Sequence, residues 1–292
     1  MRFALGLFIA GGLCLSSLDA VGKLLMSQTS IIMLIWARYL GQFLFSLPLA
    51  YWRAGPEFWK TSRPQLQLMR STLLLLTSIL FFGGLQFLPL AEASAISFTA
   101  PLWVALLSGP MLGERVAKSD AWVAALGFSG VLLIVRPGTD IFHYGAILIG
   151  AMAALNAVYQ LMTRQLTQDN PFTTFFYSGL VGVAVFSVWL GLAGFPSVSD
   201  PLTIGLLCAA GLLGGLGHLL FVLAFYRAPP ASLTPFVYLQ MIWAIGFGWL
   251  IFRQLPDGLA LLGMLIIIGS GLWLILHRHR HRHRHRQPRA AR

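Results

Sequence analysis

The feature that most constrains this chain is the regular return of apolar runs, with most charges lying between them. The runs are about 16 to 23 residues long, and roughly 20 helical residues cross the ~30 Å hydrocarbon layer of a bilayer. Only 10% of the 292 residues are charged, whereas soluble domains carry about 25%. The sequence therefore predicts an all-α polytopic membrane protein with ten transmembrane helices, at residues 3–24, 31–52, 67–87, 92–112, 121–136, 143–164, 172–192, 202–225, 232–252 and 258–276.

The two halves of the chain repeat each other. The segment LPLAEASAISFTAPLWVALLSGPMLGER at 88–115 has a counterpart at 227–254, in which Trp243 falls where Trp103 lies. A long apolar segment that recurs at half the chain length indicates an internal duplication. Because each half holds five spans, an odd number, the second half must be inverted relative to the first. The predicted units are a first five-helix repeat (1–137), a second, inverted five-helix repeat (138–276) and a His/Arg-rich disordered tail (277–292).

The distribution of Lys and Arg predicts the orientation. The net charge of +11 falls to a modest excess, 13 basic against nine acidic residues, once the seven arginines of the tail are set aside. With the N-terminus inside, the cytoplasmic side receives nine of the basic residues outside the tail, Arg70 among them, and the other side receives three. Both termini are therefore predicted to be cytoplasmic, and a nucleic-acid partner is not expected. The tail is expected to bind anionic lipid head groups.

Ionisable residues inside spans are the first candidates for function. Asp19 and Lys23 lie four residues apart on one face of the first span, and either pair with each other or leave Asp19 to bind a proton or substrate charge. The second half offers only the amides Asn156 and Gln160 at these positions, so proton coupling would depend on Asp19 alone. Arg38 could bind a substrate carboxylate or tie helices together. His218, which follows three glycines, could bond to substrate or to another helix.

Hydroxyl and aromatic side chains on the central faces complete the predicted substrate site. Pro101 and Pro235 interrupt the backbone ladder of their helices, which usually happens beside a cavity. Aromatic rings mixed with hydroxyls suit a ligand with an apolar ring and a polar head. The residues predicted to contact substrate, besides Asp19, Arg38, Asn156 and His218, are Ser78, Phe81, Ser94, Ser97, Phe98, Pro101, Tyr159, Phe221, Thr234, Tyr238 and Met241.

This pattern resembles the drug/metabolite transporter superfamily, specifically its ten-span EamA-type members. The residues that carry the resemblance are Arg38, Pro101 followed by Gly113-Glu114-Arg115, the Gly-rich fifth and tenth spans and the duplication itself. The second half departs from the family, with Met241 where Pro is frequent and Arg253-Gln254 where Gly-Glu is frequent. The resemblance implies secondary transport of small metabolites, frequently export of amino acids, although some members import a vitamin or a nucleoside-type cofactor.

The sequence thus favours an inner-membrane carrier that exports amino acids, with aromatic or large apolar ones preferred. The alternatives are uptake of a riboflavin-like or S-adenosylmethionine-like compound, a channel and, more remotely, an intramembrane enzyme. The last rests on Gly127-Phe128-Ser129-Gly130, which matches the GxSG of rhomboid-type proteases with His218 as a conceivable base. The spacing of Cys and His predicts no metal site or disulfide, and no cofactor is expected. Monomer and homodimer both remain open.

Overall fold

A computed structural model describes residues 2–113, 117–138, 144–166, 168–228 and 233–286, without the side chains of Tyr226, Thr234 and residues 278–286. Within these residues the chain is helical, with no strand, and ten segments are long and apolar enough to cross a membrane. The predicted all-α fold and its ten spans are therefore confirmed. The helices are α1 Arg2–Leu25, α2 Ile31–Ala54, α3 Pro64–Leu85, α4 Leu90–Ser97, α5 Ala100–Leu112, α6 Lys118–Val135, α7 Tyr144–Gln165, α8 Pro171–Ala193, α9 Pro201–Arg227, α10 Leu239–Phe252 and α11 Gly258–Arg286.

Short polar residues and prolines fix where the spans begin. Helices α2, α8 and α9 each begin after a capping residue whose side chain accepts a hydrogen bond from a backbone N–H of the first turn. These caps are, in the same order, Ser30, Asn170 and Asp200. These caps satisfy donors that would otherwise lack a partner at a helix start. Proline occupies the first turn of both α8 and α9, where its missing N–H removes no helical hydrogen bond.

The fourth span is broken near its middle and the ninth begins with an irregular turn, and both features lie at the prolines that predict them. The fourth span divides into α4 and α5 at Phe98 and Thr99, just before Pro101. The ninth begins with a 3-10 turn, Thr234–Tyr238, with Pro235 in its first turn, and continues as α10. Glu114 and Arg115, which carry part of the resemblance stated above, lie outside the described residues.

Helices of the first half pack mainly against helices of the second. Helices α1 and α2 pack on α9, α2 also on α8, α3 on α7, and α6 on α11. Glycine makes the closest approach possible: a Cβ on Gly41 of α2 would lie 2.0 Å from the carbonyl oxygen of Gly211 on α9. Small residues allow such backbone contact between membrane helices, where no hydrophobic effect drives helices together. The same type of contact joins α3 to α7 at Gly84 and Gly145, and α6 to α11 at Gly130 and Gly263.

Candidate functional site

Arg38 is the centre of a polar cluster between α2, α3 and α9. Its guanidinium donates to Ser78 Oγ through Nη1 and contacts His218 Nε2 through Nη2 at 3.1 Å. Tyr39 donates to the same Ser78 oxygen at 3.0 Å, and Ser78 donates to the carbonyl of Leu74. Gly214 of α9 permits this meeting, since a Cβ there would lie 3.0 Å from Cγ of Arg38. Three residues predicted from sequence, Arg38, Ser78 and His218, are thus brought together.

The hydrogen bond between Arg38 and His218 determines the state of the histidine. A guanidinium has donors and no acceptor, so Nε2 of His218 must accept with its lone pair. The imidazole in this geometry is therefore neutral, with its proton on Nδ1. Arg38 itself is only 7% exposed, whereas His218 is partly accessible.

Asp19 faces the same cluster from α1 without a direct partner. Among the described residues it makes no hydrogen bond and no ion pair within 4.0 Å, and the charge that acts on it is that of Arg38. Lys23 turns away: its Nζ donates to the carbonyl of Leu88 and lies 5.5 Å from the ring centre of Phe252. The alternative in which Asp19 pairs with Lys23 is therefore wrong. The partly accessible carboxylate of Asp19 and the guanidinium of Arg38 therefore lie in one site without forming an ion pair.

A second arginine of this region, Arg70 of α3, was missed as a site residue by the sequence analysis. It is 1% exposed and donates through Nη2 to the carbonyl of Thr174, at 2.8 Å, and to Ser178 Oγ on α8. The ring of Tyr159, a predicted site residue of α7, lies 5.0 Å from the guanidinium carbon. Arg70 also acts electrostatically on His218. The sequence signal was present, because Gln67, Arg70, Ser71 and Ser78 recur at helical spacing along one face of α3.

Asn156 lies close in sequence to Tyr159 on α7, and its side chain is held within that helix. Gln160 donates to Asn156 Oδ1 at 2.8 Å, and both residues are at least partly accessible. This amide pair stands where the first repeat has Asp19 and Lys23. The second repeat therefore contributes no carboxylate at this level of the site.

The broken fourth and ninth spans bring a separate aromatic pair together. Phe98 and Tyr238 meet edge to face with 6.1 Å between ring centres. The Tyr238 hydroxyl is buried without a partner and lies 1.5 Å from where a Cβ on Gly271 would be. Ser94 is buried, while Ser97 and Pro101 are partly accessible, and Ser97 donates to the carbonyl of Ala93. Thr234 is placed by its backbone only, so its predicted contact lies outside the described side chains.

The remaining predicted contacts lie in hydrophobic packing. Phe221 stacks on Phe8 of α1 at 4.8 Å in a small cluster that does not include Arg38, and Phe81 packs against Phe82. Met241 is 1% exposed and lines an apolar groove of about 390 Å³ between α10 and α11. That groove opens on the outside of the helical bundle, where Ile242 and Leu265 are exposed. The contacts of these three side chains in the structure are apolar, and their predicted contact with substrate stays a prediction.

The serine of the protease-like motif does not meet a base. Ser129 Oγ donates to the carbonyl of Leu126 in its own helix, α6, at 2.7 Å. The Nε2 of His218 accepts a hydrogen bond from Arg38 instead. A nucleophilic serine needs a base within hydrogen-bond reach, and this geometry does not provide one for Ser129.

Comparison with known proteins agrees with this architecture. A riboflavin transporter from Rhizobium johnstonii is 31% identical over 80% of this chain and 77% of its own length. An S-adenosylmethionine uptake transporter from Rickettsia felis is 26% identical over 93% and 92% of the two chains. A pseudopaline exporter from Pseudomonas aeruginosa is 27% identical over 74% and 76%. A solved crystal structure superposes with a TM-score of 0.66 at 16% identity, over 94% of this chain and 98% of that chain, which supports the fold alone.

The family assignment follows from a match that covers nearly the whole chain. The profile of the EamA-like transporter family matches twice, over residues 2–136 and 143–276, and the predicted boundary at 137/138 lies between the two matches. With ten apolar helices and bacterial transporters among its relatives, the chain is a multi-pass protein of the bacterial inner membrane. It belongs to the EamA-like transporter family of the drug/metabolite transporter superfamily, and its function is transport.

Proposed function

We propose that this transporter is an alternating-access carrier that exports α-amino acids and larger α-amino acid derivatives, with aromatic or large apolar side chains preferred. The observation that carries the proposal is the pair Asp19 and Arg38, two opposite charges that face one site without an ion pair between them. A zwitterionic head group supplies the partner that each lacks. Its carboxylate suits the forked donors of Arg38, and its ammonium suits the carboxylate of Asp19.

The aromatic residues near this pair support the preference for a ring. Tyr39 lies beside Arg38, with the guanidinium carbon 4.9 Å from its ring centre, and Tyr159 lies over Arg70. Rings of this kind bury the apolar body of a ligand while polar groups at one end hold its head. The breaks before Pro101 and at Pro235 support movement, because interrupted helices in transporters line the site around which the protein rocks.

The names of the relatives support this substrate class in part. S-adenosylmethionine is itself an α-amino acid derivative with a large ring system, and a transporter named for its uptake aligns with almost the whole chain. A second candidate is uptake of a riboflavin-like compound, which is favoured by the relatives from Rhizobium and Brucella at 31% and 29% identity. Such a compound would use the aromatic side chains and leave Asp19 without an ammonium partner.

Counterflow in proteoliposomes tests the proposal. Vesicles loaded with unlabelled phenylalanine should accumulate labelled phenylalanine, and S-adenosylmethionine should compete. Arg38→Gln should weaken this exchange by at least about tenfold, the worth of one charge-assisted hydrogen bond. Arg53→Gln is the matched control on the same helix, because Arg53 is exposed beside Trp52.

Exchange of riboflavin without any amino acid would favour the second candidate, and equal loss in both variants would contradict the role of Arg38. Export is tested in intact cells preloaded with phenylalanine. Cells that contain the protein should release phenylalanine faster than cells that lack it.

A further inference from the structure

Arg70 is a buried cation that the proposed amino acid site does not use. Its guanidinium is fixed on one side by Thr174 and Ser178 of α8, while its Nε is buried and has no partner among the residues that the structure describes. It enters the span six residues after Pro64, about 9 Å along the helix axis. A charge at this depth inside a membrane protein is costly and most often marks a path or a binding site.

Further buried polar groups of this region lack partners. Gln42 is 0% exposed and neither its amide nitrogen nor its amide oxygen is bonded within the described part of the chain, and Ser71 Oγ is also unpartnered. Gln42 follows Arg38 by one turn on α2, and its backbone carbonyl carbon would lie 3.3 Å from a Cβ on Gly179. The preceding residue of α8, Ser178, accepts from Arg70. Neighbouring residues of α8 therefore pack on the backbone at Gln42 and bind the Arg70 side chain.

The charges of the cluster do not balance when a neutral zwitterion is bound. Arg38 and Arg70 bring two positive charges, Asp19 brings at most one negative charge, and His218 is neutral because its Nε2 accepts from Arg38. The ammonium and carboxylate of an amino acid cancel each other, so at least one positive charge stays uncompensated. A ligand with one additional acidic group would neutralise it.

We propose that Arg70, Gln42 and Ser71 form a second subsite, which binds an acidic group on the side chain of the substrate. The proposal rests on the proposed function and adds to it a preference, among the amino acids and derivatives that bind, for those with a net charge of −1. The head group lies at Arg38 and Asp19, and the second acid lies at Arg70. Arg70 and Ser78, which holds Arg38, are separated by eight residues of α3, roughly 12 Å along its axis. Tyr39 and Tyr159 border this interval, so an aromatic spacer between the two acidic groups fits it.

A pair of phenylalanine analogues that differ only in charge tests the subsite. In counterflow of labelled phenylalanine, 4-carboxyphenylalanine should compete at about 10- to 100-fold lower concentration than 4-carbamoylphenylalanine, its uncharged isostere. Arg70→Gln should reduce this ratio to about threefold or less, and Arg70→Lys should retain most of it because the charge remains. Arg63→Gln, at the exposed start of the same helix, should leave the ratio unchanged. A purely structural Arg70 would weaken both analogues equally, and an unchanged ratio in an active Arg70→Gln protein would overturn the proposal.

Two further measurements cover a variant that does not fold and a site that binds an inorganic anion. If Arg70→Gln does not fold, Gln42→Leu should lower the same ratio, and an unchanged ratio there would overturn the proposal. Replacing chloride by gluconate tests whether Arg70 binds an acid of the substrate or an inorganic anion. If exchange requires chloride in the wild-type protein but not in the Arg70 variant, Arg70 binds the inorganic anion and the proposal is overturned.

If no amino acid exchanges at all, the proposed function fails, and the second subsite is then tested alone. The measurement is the thermal shift of the detergent-solubilised protein with benzoate against benzamide. Stabilisation by benzoate that is lost in Arg70→Gln supports the subsite, and equal shifts with the two compounds overturn it.

Discussion

Arg38 of α2 and His218 of α9 meet side chain to side chain, with 3.1 Å between Nη2 and Nε2. The contact joins the first repeat to the second at the level of the proposed substrate site. Because Arg38 can only donate, the histidine serves as an acceptor that holds one side of the guanidinium. His218 is therefore expected to position Arg38 rather than to bind substrate through a charge of its own.

Replacing His218 should separate the acceptor role from mere packing. His218→Ala leaves a buried N–H of Arg38 without a partner, and such a loss costs about 1–3 kcal/mol. The KM for phenylalanine should rise by about 5- to 100-fold, and His218→Gln, which retains an acceptor, should recover much of it. Counterflow kinetics measure both variants, and an unchanged KM in His218→Ala would contradict the positioning role.

Asp19→Asn should weaken only those ligands that carry an ammonium group. The amide keeps the shape of the side chain and removes its charge, so competition by phenylalanine should weaken by about tenfold or more. Competition by 3-phenylpropionate, which lacks the amino group, should change little. If both ligands weaken equally, Asp19 does not bind the ammonium.

An imposed pH gradient tests whether Asp19 also carries a proton. The second repeat has Asn156 and Gln160 at the equivalent positions, so coupling to protons would depend on this single carboxylate. Exchange in wild-type proteoliposomes should respond to the gradient only if Asp19 titrates during transport, and the response should then disappear in Asp19→Asn. We expect no response, because the proposed role of Asp19 is to bind the ammonium of the substrate rather than to exchange a proton.

Gly41→Ala should disrupt the contact between α2 and α9. The new methyl group would lie 2.0 Å from the carbonyl oxygen of Gly211, so the helices must separate and the bond between Arg38 and His218 must lengthen. Overpacking of this kind costs about 1–3 kcal/mol, which lowers the Tm of a protein of this size by about 2 to 10 °C. Gly150→Ala is the control, since nothing lies within 4 Å of a Cβ there. Equal Tm and transport in the two variants would show that the contact does not matter.

Asp257→Asn should remove a pH-dependent contribution to stability. The hydrogen bond from Arg136, together with the backbone N–H of Ala260, lowers the pKa of Asp257 below its ordinary value of 3.8. Folding therefore favours the ionised form, and its contribution is complete above that value and is lost as the pH falls through the lower folded pKa. The Asp257 side chain is largely exposed, so Asp257→Asn should lower the Tm in detergent by a few degrees at most at pH 7. The difference between the two proteins should shrink below pH 4; a constant difference would contradict this linkage.

Reporter fusions test the predicted orientation. Alkaline phosphatase fused after Arg292 should be inactive, because the excess of Lys and Arg predicts that both termini are cytoplasmic. The same enzyme inserted in the loop 194–200, between α8 and α9, should be active. The opposite pattern would invert the assignment of every loop.

The sequence predicted the fold well because hydrophobic length is a property of each segment by itself. The ten spans and the irregular backbone at Pro101 and Pro235 followed from local patterns, whereas the contact between Arg38 and His218 was not predicted, although each residue was a candidate by itself. Arg70 was missed because it was counted among the charges that set topology, although it lies inside α3 and is buried.

For the other candidate residues, the sequence could not predict the direction of the side chain. Aligning the repeats predicts which positions are equivalent, and it does not predict which way a side chain points in a different packing environment. Phe221 thus packs with Phe8, and Met241 lines a groove between α10 and α11. The pairing of Asp19 with Lys23 failed for a related reason: four-residue spacing permits contact, but the carbonyl of Leu88 and the ring of Phe252 offered Lys23 better partners.

The glycine contacts between α2 and α9, α3 and α7, and α6 and α11 each join residues from opposite sides of position 137. The two halves of the chain therefore cover part of each other's apolar surface. Of two fragments cut between 137 and 138, the first would enter the membrane with Arg38 and Arg70 separated from His218, Thr174 and Ser178, the partners that the second provides. The fragments should regain transport only when both are made in the same cell, so the two halves together are expected to be the smallest functional unit.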